Sequence, residues 1–119
     1  MSTSTTRLPK QKDTIWIDFD PQRGREIKKR RPAVVLSSNL YTQNTGFVIV
    51  SPITSTMRDL PGYFSLNGYN THGQIAAAKI YSFDATPRAG RSITYIETMR
   101  SADFYHVAQT VYYNFDFPF

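Results

Sequence analysis

Two stretches of the chain decide its fold, Ile15-Trp-Ile-Asp-Phe-Asp-Pro21 and Arg31-Pro-Ala-Val-Val-Leu-Ser37. Apolar and polar side chains alternate along the first stretch, which predicts a strand from Asp13 to Asp20 with one face in the core. The second stretch is apolar without interruption from Pro32 to Ser37, which predicts a strand buried on both faces. The residues between them, 22–30, are predicted to form a basic loop.

Short strands separated by turn residues make up most of the chain after Ser37. Asn44-Thr45-Gly46 has the composition of a hairpin turn leading from the second strand into the third. The third strand is predicted at Phe47 to Val50 and ends at Ser51-Pro-Ile-Thr54. Three more strands are predicted at Tyr63 to Leu66, Gln74 to Phe83 and Ile93 to Ile96.

A helix is predicted near the C-terminus, beginning at Ser101. Serine is a good N-cap residue, and Asp103 falls in the first turn, where the helix dipole favours a negative charge. Apolar side chains recur there at helical spacing and form one stripe that is expected to face the core, namely Phe104, Val107, Ala108 and Val111. The aromatic tail from Tyr112 to Phe119 is predicted to pack on the barrel or on a partner subunit.

Many short strands and one late helix indicate a mainly β fold, a small curled β-barrel with a C-terminal helix. With 119 residues, the chain is expected to hold a single hydrophobic core. We assign residues 13–119 to one domain. Residues 1–12 are polar and end in basic side chains, so we predict a disordered basic tail there.

The composition narrows the possible functions. The chain has no cysteine, which excludes disulfides and thiolate metal sites, and it has two histidines, His72 and His106. A zinc site would need an unusual, carboxylate-rich ligand set, so neither a metal nor a cofactor is expected. No stretch approaches the apolar length that spans a bilayer, and no secretory signal is evident, so the expected location is the cytoplasm.

The charge favours a polyanionic partner, and nucleic acid is the commonest one inside a cell. The net charge is +5, and six cations fall within nine residues, opposed there by Glu26. They are Arg23, Arg25, Lys28, Lys29, Arg30 and Arg31. The alternative interpretation of this cluster is a solvated loop whose charges repel one another.

The two stretches that decide the fold resemble the N-terminal pattern of the MazF/PemK family of toxins. Ile15 to Pro21, then Gly24 and Glu26, then Arg31 to Ser37 match that pattern without a gap. A second family block is similar to Ser51-Pro-Ile-Thr-Ser55 together with Gly62-Tyr-Phe-Ser-Leu-Asn-Gly68, and Gly73 to Asp84 resembles part of a third. The resemblance extends from about Asp13 to Tyr113.

The resemblance implies a Src-homology-3-like barrel shared with the gyrase poison CcdB, a homodimer, and an acidic antitoxin as partner. It also implies cleavage of single-stranded messenger RNA at short preferred sequences, with Arg31, Thr54 and Glu26 as the matching site residues. The third block departs from the family pattern. Some relatives have an active aspartate there, often with a glutamine after it, whereas this chain has Ala77-Ala-Lys-Ile80. Base recognition is therefore expected to be arranged differently.

The three site residues suit a reaction in which RNA supplies its own nucleophile, the 2′-hydroxyl. Arg31 is expected to stabilise the charge on the phosphorane and is a candidate for the acid, while Thr54 holds a non-bridging oxygen. Glu26 accepts the proton or orients Arg31. Each residue also has an ordinary interpretation: Arg31 as a salt-bridge partner of Asp18 or Asp20, Thr54 as a strand-end residue, and Glu26 as a surface counter-ion.

The predicted RNA-binding set surrounds these residues and consists of Lys28, Lys29, Arg30, Asp18, Ser55 and Lys79. Its cations are expected to contact the phosphate backbone, which positions RNA without reading its sequence. Four aromatic residues are candidates for base stacking, although core or dimer packing suits each of them as well: Trp16, Phe64, Tyr69 and Tyr81.

Three other functions stay open at this point. An acid–base mechanism that uses His72 and His106 together is one alternative within the nuclease hypothesis. A non-enzymatic poison of DNA gyrase, acting as CcdB does, is an alternative from another class. A barrel that only binds RNA or a peptide is the third.

Overall fold

The computed structural model describes residues 8–19 and 30–119, and it has the mainly β class with a C-terminal helix that the sequence predicts. In chain order the elements are β1 Asp13–Asp18, β2 Arg30–Val35, α1 Asn39–Thr45, β3 Phe47–Thr54, β4 Tyr63–Ser65, β5 Gln74–Ala76, β6 Tyr81–Asp84, β7 Ile93–Thr98 and α2 Ser101–Phe115. A 3-10 turn, Pro87–Ala89, precedes β7.

The strands form one antiparallel sheet in which β3 is the central member. The strand order is β4-β5-β3-β2-β1-β7, and β6 also pairs with β3. One edge of β3 pairs with β2, while its other edge pairs with β6 over Phe47 to Val50 and with β5 over Ile53 and Thr54. Over the ranges that the structure describes, β4 and β7 are the outer strands, so the predicted barrel is not closed by backbone pairing.

The burial of β2 on both faces is confirmed and explains why two cores form. Val34 belongs to one apolar cluster, and its neighbours Ala33 and Val35 belong to the other, with all three side chains 0% exposed. Fully burying a valine side chain contributes roughly 1.5–3 kcal/mol. The apolar run of β2 therefore fixes the strand between two layers and leaves its first residues, Arg30 and Arg31, exposed at the edge.

The predicted apolar stripe of the C-terminal helix is also confirmed. Phe104 and Val107 are buried in the cluster that contains Val34, and Ala108 and Val111 pack against it. The predicted N-cap is wrong by one residue: the cap is Arg100, and Ser101 is the first helical residue. The Ser101 hydroxyl instead accepts a hydrogen bond from Lys12 Nζ at 3.0 Å.

The hairpin turn predicted at Asn44-Thr45-Gly46 is wrong, because these residues end a short helix. Ser38 caps α1 by accepting a hydrogen bond from the Tyr41 backbone N–H, and Gly46 ends it in the left-handed region at φ +77°. A local backbone bond from Gly46 N–H to the Thr42 carbonyl closes the last turn. The connection still returns the chain antiparallel, so β2 and β3 are neighbours as predicted.

The single strand predicted from Gln74 to Phe83 is two strands. A turn comes after β5, with Lys79 N–H bonded to the Ala76 carbonyl at 3.0 Å, and β6 begins only at Tyr81. The buried Ser51 hydroxyl donates to the Lys79 carbonyl at 2.8 Å and holds the turn against β3. Apolar composition continues through this segment, but its pairing with β3 is interrupted between Ala76 and Tyr81.

The two ends of the chain also differ from the expectation. The tail prediction does not hold for residues 8–12: Pro9 is buried, and Lys12 N–H bonds the Val35 carbonyl at 3.0 Å. Residues 1–7 lie outside the described ranges. The end of the aromatic tail is exposed, with Phe117 49% and Phe119 90% exposed, while Asn114 donates to the Ala77 carbonyl at 3.2 Å. The tail rings stack on one another, and packing on a partner subunit stays a prediction.

Candidate active site

A cleft of about 680 Å³ opens beside the exposed start of β2. Its walls come from β1, β2, β3, β4, β5 and β7 and from the segments on both sides of β5. Four of the predicted site residues line it, namely Arg31, Thr54, Ser55 and Lys79. The structure thus brings together residues that lie up to 48 positions apart in the sequence.

The register of β2 and β3 explains why Arg31 and Thr54 meet. The pairs are Ala33 with Pro52, Val34 with Ser51 and Val35 with Val50. Continuing that antiparallel register by two residues puts Arg31 opposite Thr54, which is the spacing of cross-strand neighbours. Arg31 and Thr54 therefore lie at the start and end of antiparallel neighbours, and both line the cleft.

Arg31 and Thr54 are both able to bind an anion in the cleft. Arg31 is exposed, and its guanidinium lies 5.8 Å from the Phe19 ring centroid. The Thr54 hydroxyl oxygen accepts the Thr56 backbone N–H at 3.1 Å, so its own hydrogen can still donate to a ligand. A planar guanidinium and a hydroxyl on facing strands match the oxygen atoms of a phosphate group.

Not every member of the predicted RNA-binding set reaches the cleft. Arg30 does not line the cleft itself: its guanidinium lies 5.7 Å from the ring centroid of Trp16, a lining residue, and donates to the Thr94 hydroxyl at 3.1 Å. The assignment of Asp18 to RNA binding is wrong, because its side chain is 2% exposed and accepts the Ser92 backbone N–H at 3.1 Å. Glu26, Lys28 and Lys29 lie outside the described residues.

Two cleft residues that the sequence analysis did not predict, Arg58 and Tyr63, come from β4 and the loop before it. Gln74 fixes Arg58 from β5: its side-chain oxygen accepts Arg58 N–H at 2.8 Å, and its nitrogen donates to the Arg58 carbonyl at 3.1 Å. Gln74 is only 5% exposed, so this pair of bonds is sheltered from water. The Arg58 guanidinium lies 6.0 Å from the Tyr63 ring.

His72, a candidate until now only together with His106, also lines the cleft and lies on the loop between β4 and β5 that Glu97 holds in place. Both Glu97 oxygens accept from this loop, one from Asn70 N–H and the other from Thr71 N–H and the Thr71 hydroxyl, at 2.8–2.9 Å. Burial raises the pKa of Glu97, but these hydrogen bonds and nearby Arg100 outweigh it and leave the pKa below its ordinary value. An ionised Glu97 therefore anchors the loop.

Gly73 joins that loop to the strand that ends at Thr54. Its φ is +125°, and a Cβ atom there would lie 2.3 Å from the Thr54 carbonyl oxygen. Only glycine tolerates both the dihedral angle and the contact. The backbone beside His72 consequently touches the backbone of Thr54, and both residues line the same cleft.

Comparison with known proteins shows the family of the chain. Residues 10–115 match the family described as PemK-like, MazF-like toxin of type II toxin-antitoxin system. The chain belongs to this family. It is 37% identical to the endoribonuclease toxin MazF of Escherichia coli (strain K12) over 75 residues, which are 63% of this chain and 68% of that protein.

Solved structures of MazF proteins share the fold of this toxin. MazF from Deinococcus radiodurans superposes with a TM-score of 0.78 at 24% identity, covering 94% of this chain and 100% of that one. MazF in a MazE–MazF structure from the same organism gives a TM-score of 0.75 at 25% identity, covering 89% and 94% of the two chains. The predicted MazF/PemK-type endoribonuclease toxin is thus confirmed, and the gyrase-poison alternative is not favoured.

The candidate stacking residues of this toxin divide into two groups. Trp16 is 40% exposed and lines the cleft. Phe64 and Tyr69 pack against the core instead, and the Tyr69 hydroxyl donates to Asp103 at 2.6 Å. Tyr81 stacks parallel to Phe83 at 6.0 Å, away from the cleft.

The histidines and other possible ligands of the toxin are separated. His106 is exposed on α2 and does not line the cleft with His72, so the two-histidine arrangement is not formed within this chain. In the part of the chain that the structure describes, no three histidine or carboxylate side chains gather as a metal site would require. No described helix is long and apolar enough to cross a membrane.

Proposed function

We propose that this toxin cleaves single-stranded RNA at short preferred sequences, with Arg31 and Thr54 at the reacting phosphate and without a metal ion. One observation supports the proposal: Arg31 and Thr54, on the antiparallel neighbours β2 and β3, line the same cleft. The family and the name of the Escherichia coli relative support the reaction class.

The proposed reaction uses the chemistry of RNA itself. The 2′-hydroxyl loses its proton and attacks the adjacent phosphorus, the bond from phosphorus to the 5′-oxygen breaks, and the products carry a 2′,3′-cyclic phosphate and a 5′-hydroxyl. Arg31 neutralises the charge that builds up on the phosphorane and is a candidate to protonate the leaving oxygen, and Thr54 donates a hydrogen bond to a non-bridging oxygen. Glu26 accepts the 2′-proton or orients Arg31.

The rest of the cleft suits an unpaired strand. Arg58 and Lys79 add two positive charges to its walls, and Ser55 adds a hydroxyl. Trp16 and Tyr63 offer ring faces on which unpaired bases stack, which is how single-stranded RNA is commonly held. Lys28, Lys29 and Arg30 extend the contact along the phosphate backbone.

The test uses purified toxin, free of antitoxin, with a defined RNA in EDTA. Wild-type toxin is expected to give discrete fragments ending in cyclic phosphate, and a 2′-deoxy substitution at the scissile position is expected to block cleavage. Arg31→Ala should lower kcat by about 10²–10³. The matched control is Arg88→Ala, since Arg88 lies in the 3-10 turn outside the cleft. Near-normal cleavage by Arg31→Ala would overturn the assignment.

A second pair of variants tests the hydroxyl, and the outcome also separates cleavage from binding. Thr54→Val keeps the shape of the side chain and removes its donor, whereas Thr110→Val makes the same change on α2, outside the cleft. Only the first is expected to slow cleavage. RNA that stays intact in chelator, with binding that merely weakens as salt rises, would instead mean that the toxin only binds RNA.

We also propose the partners and location of the toxin. An acidic antitoxin segment that folds on binding is expected to cover the cationic cleft. The Deinococcus MazE–MazF structures support an antitoxin as the kind of partner. The toxin acts as a homodimer, and the exposed aromatic tail is a candidate for contact between subunits. A messenger RNA substrate implies that it acts in the cytoplasm. Light scattering of the free toxin tests the dimer directly.

A further inference from the structure

Among the residues that the structure describes, one side chain of the cleft is suited to accepting a proton at neutral pH. Its ionisable lining residues within the described ranges are Arg31, Arg58, Tyr63, His72 and Lys79. Arginine stays protonated, and lysine and tyrosine ordinarily titrate near pH 10. Imidazole is the side chain that ordinarily carries a free lone pair at pH 7 and still binds a proton. His72 is therefore the basic group that the cleft itself offers.

His72 is held more firmly than an ordinary loop residue. On its N-terminal side, Glu97 binds Asn70 and Thr71 through three hydrogen bonds. On its C-terminal side, Gly73 lies against the Thr54 carbonyl, and Gln74 then pairs with Thr54 in the sheet. The imidazole is thus carried on a short segment fixed at both ends to the frame that carries Thr54.

We propose that His72 is the general base of the reaction, an inference that rests on the proposed function. The imidazole takes the proton of the 2′-hydroxyl as the bond from the 2′-oxygen to phosphorus forms. The bond to the 5′-oxygen breaks, and that oxygen leaves with the electron pair and takes a proton from Arg31, the candidate acid, or from water; a proton given up by Arg31 is regained from solvent. The imidazolium then returns its proton to solvent, so that the enzyme is unchanged after one turnover.

The charged groups around His72 agree with this division of roles. The cations Arg31, Arg58 and Lys79 share its cleft and stabilise the phosphate. The Glu97 carboxylate bonds to the loop that carries His72 through the residues before it. With the proton accepted by His72, the role left for Glu26 is to orient Arg31.

Chemical rescue tests the proposal. Wild type, His72→Ala, His72→Gln and His106→Ala are compared on one defined RNA, and thermal melting checks that each variant is folded. We expect the two His72 variants to lose about 10²–10⁴ in kcat with little change in KM, and His106→Ala to keep wild-type activity. Added imidazole should restore His72→Ala in proportion to its free-base concentration, and should not restore Arg31→Ala.

A second substrate distinguishes a base from an acid. An RNA with sulfur in place of the scissile 5′-oxygen has a leaving group that needs no proton. We expect His72→Ala to lose as much kcat on this substrate as on ordinary RNA. A base acts on the nucleophile, so its contribution does not depend on the leaving group. Recovery of His72→Ala on the sulfur substrate would mean that His72 is an acid and would overturn the proposal.

The remaining outcomes are equally decisive. Normal cleavage by both folded His72 variants, or a loss that imidazole does not restore, shows that His72 is not the base while the proposed function stands. Wild-type toxin that cleaves neither substrate contradicts the proposed function and this inference with it. Cleavage by the wild-type toxin therefore distinguishes a failure of the proposed function from a failure of the His72 proposal.

Discussion

Replacing Gly73 with alanine is expected to damage both the stability of the toxin and its active site. The new Cβ would lie 2.3 Å from the Thr54 carbonyl oxygen, about 1 Å closer than the carbon–oxygen contacts that proteins accept, so the loop or the strand must move. The dihedral angle adds strain, since φ of +125° lies in a region that alanine rarely adopts. Such backbone strain costs of order 1–3 kcal/mol.

The two effects together predict that Gly73→Ala lowers the free energy of unfolding by about 3 kcal/mol. For a domain of this size, that corresponds to a fall in Tm of roughly 10 °C. The control is Gly90→Ala, where φ is +70° and no atom lies within 4 Å of the new Cβ. That variant carries the backbone strain alone and should lose about 1 kcal/mol. Urea denaturation at pH 7 measures both.

Cleavage provides the second measurement on the same pair of variants. Gly73→Ala should lower kcat well below wild type even at a temperature where it is fully folded, because the forced movement displaces Thr54 and His72. Gly90→Ala should cleave normally. If the two variants unfold at the same urea concentration and cleave alike, Gly73 does not fix the loop to the strand, and His72 is not held in place beside Thr54.

The contacts of the cleft lead to three further predictions. Gln74→Leu removes the bonds to Arg58 and should cost roughly 1–3 kcal/mol in urea denaturation while raising KM for RNA. Glu97→Gln should be less stable than wild type at pH 7 by on the order of 1 kcal/mol. Because the pKa of Glu97 is lowered in the folded state, this difference should be present above its ordinary value of 4.5 and shrink as the pH falls below it, which unfolding curves at several pH values would show. Lys79→Ala should reduce the slope of log affinity against log salt by about 0.7 for a single-stranded, 2′-deoxy-blocked RNA, and an unchanged slope would mean that Lys79 does not contact a phosphate.

The core and the Arg31–Thr54 pair were predictable because both depend on local pattern and strand direction. A continuous apolar run specifies β2 with two buried faces, whatever packs on it. A turn of either kind between β2 and β3 makes them antiparallel, so the start of one meets the end of the other. The error at Asn44-Thr45-Gly46 was therefore harmless to the site, since the short helix α1 reverses the chain as a hairpin turn does.

The rest of the cleft was not predictable because it depends on contacts between distant residues. Arg58 is positioned by Gln74, and the loop of His72 is positioned by Glu97, which is 26 residues away from Thr71. Neither the spacing of apolar residues nor the composition of turns indicates that two such distant residues are in contact. Gln74 was visible only as a polar residue at the start of a strand, and its side chain is buried because the backbone of another loop satisfies its amide.

The place where β3 changes partners explains why a small β domain has a cleft here. Along one edge β3 pairs with β6 up to Val50 and with β5 from Ile53, while its other edge pairs with β2 from Val50 to Pro52. Ser51 and Pro52 lie in the gap, and proline has no N–H to donate to a strand on that side. The chain between β5 and β6 turns away there, bonded to β3 through the Ser51 hydroxyl, and so brings Lys79 to the rim. An unbroken β5–β6 strand would cover this edge with backbone pairing. The break between β5 and β6, which the sequence pattern failed to predict, thus leaves room for a polyanion beside Thr54. The apolar residues of β2 remain buried.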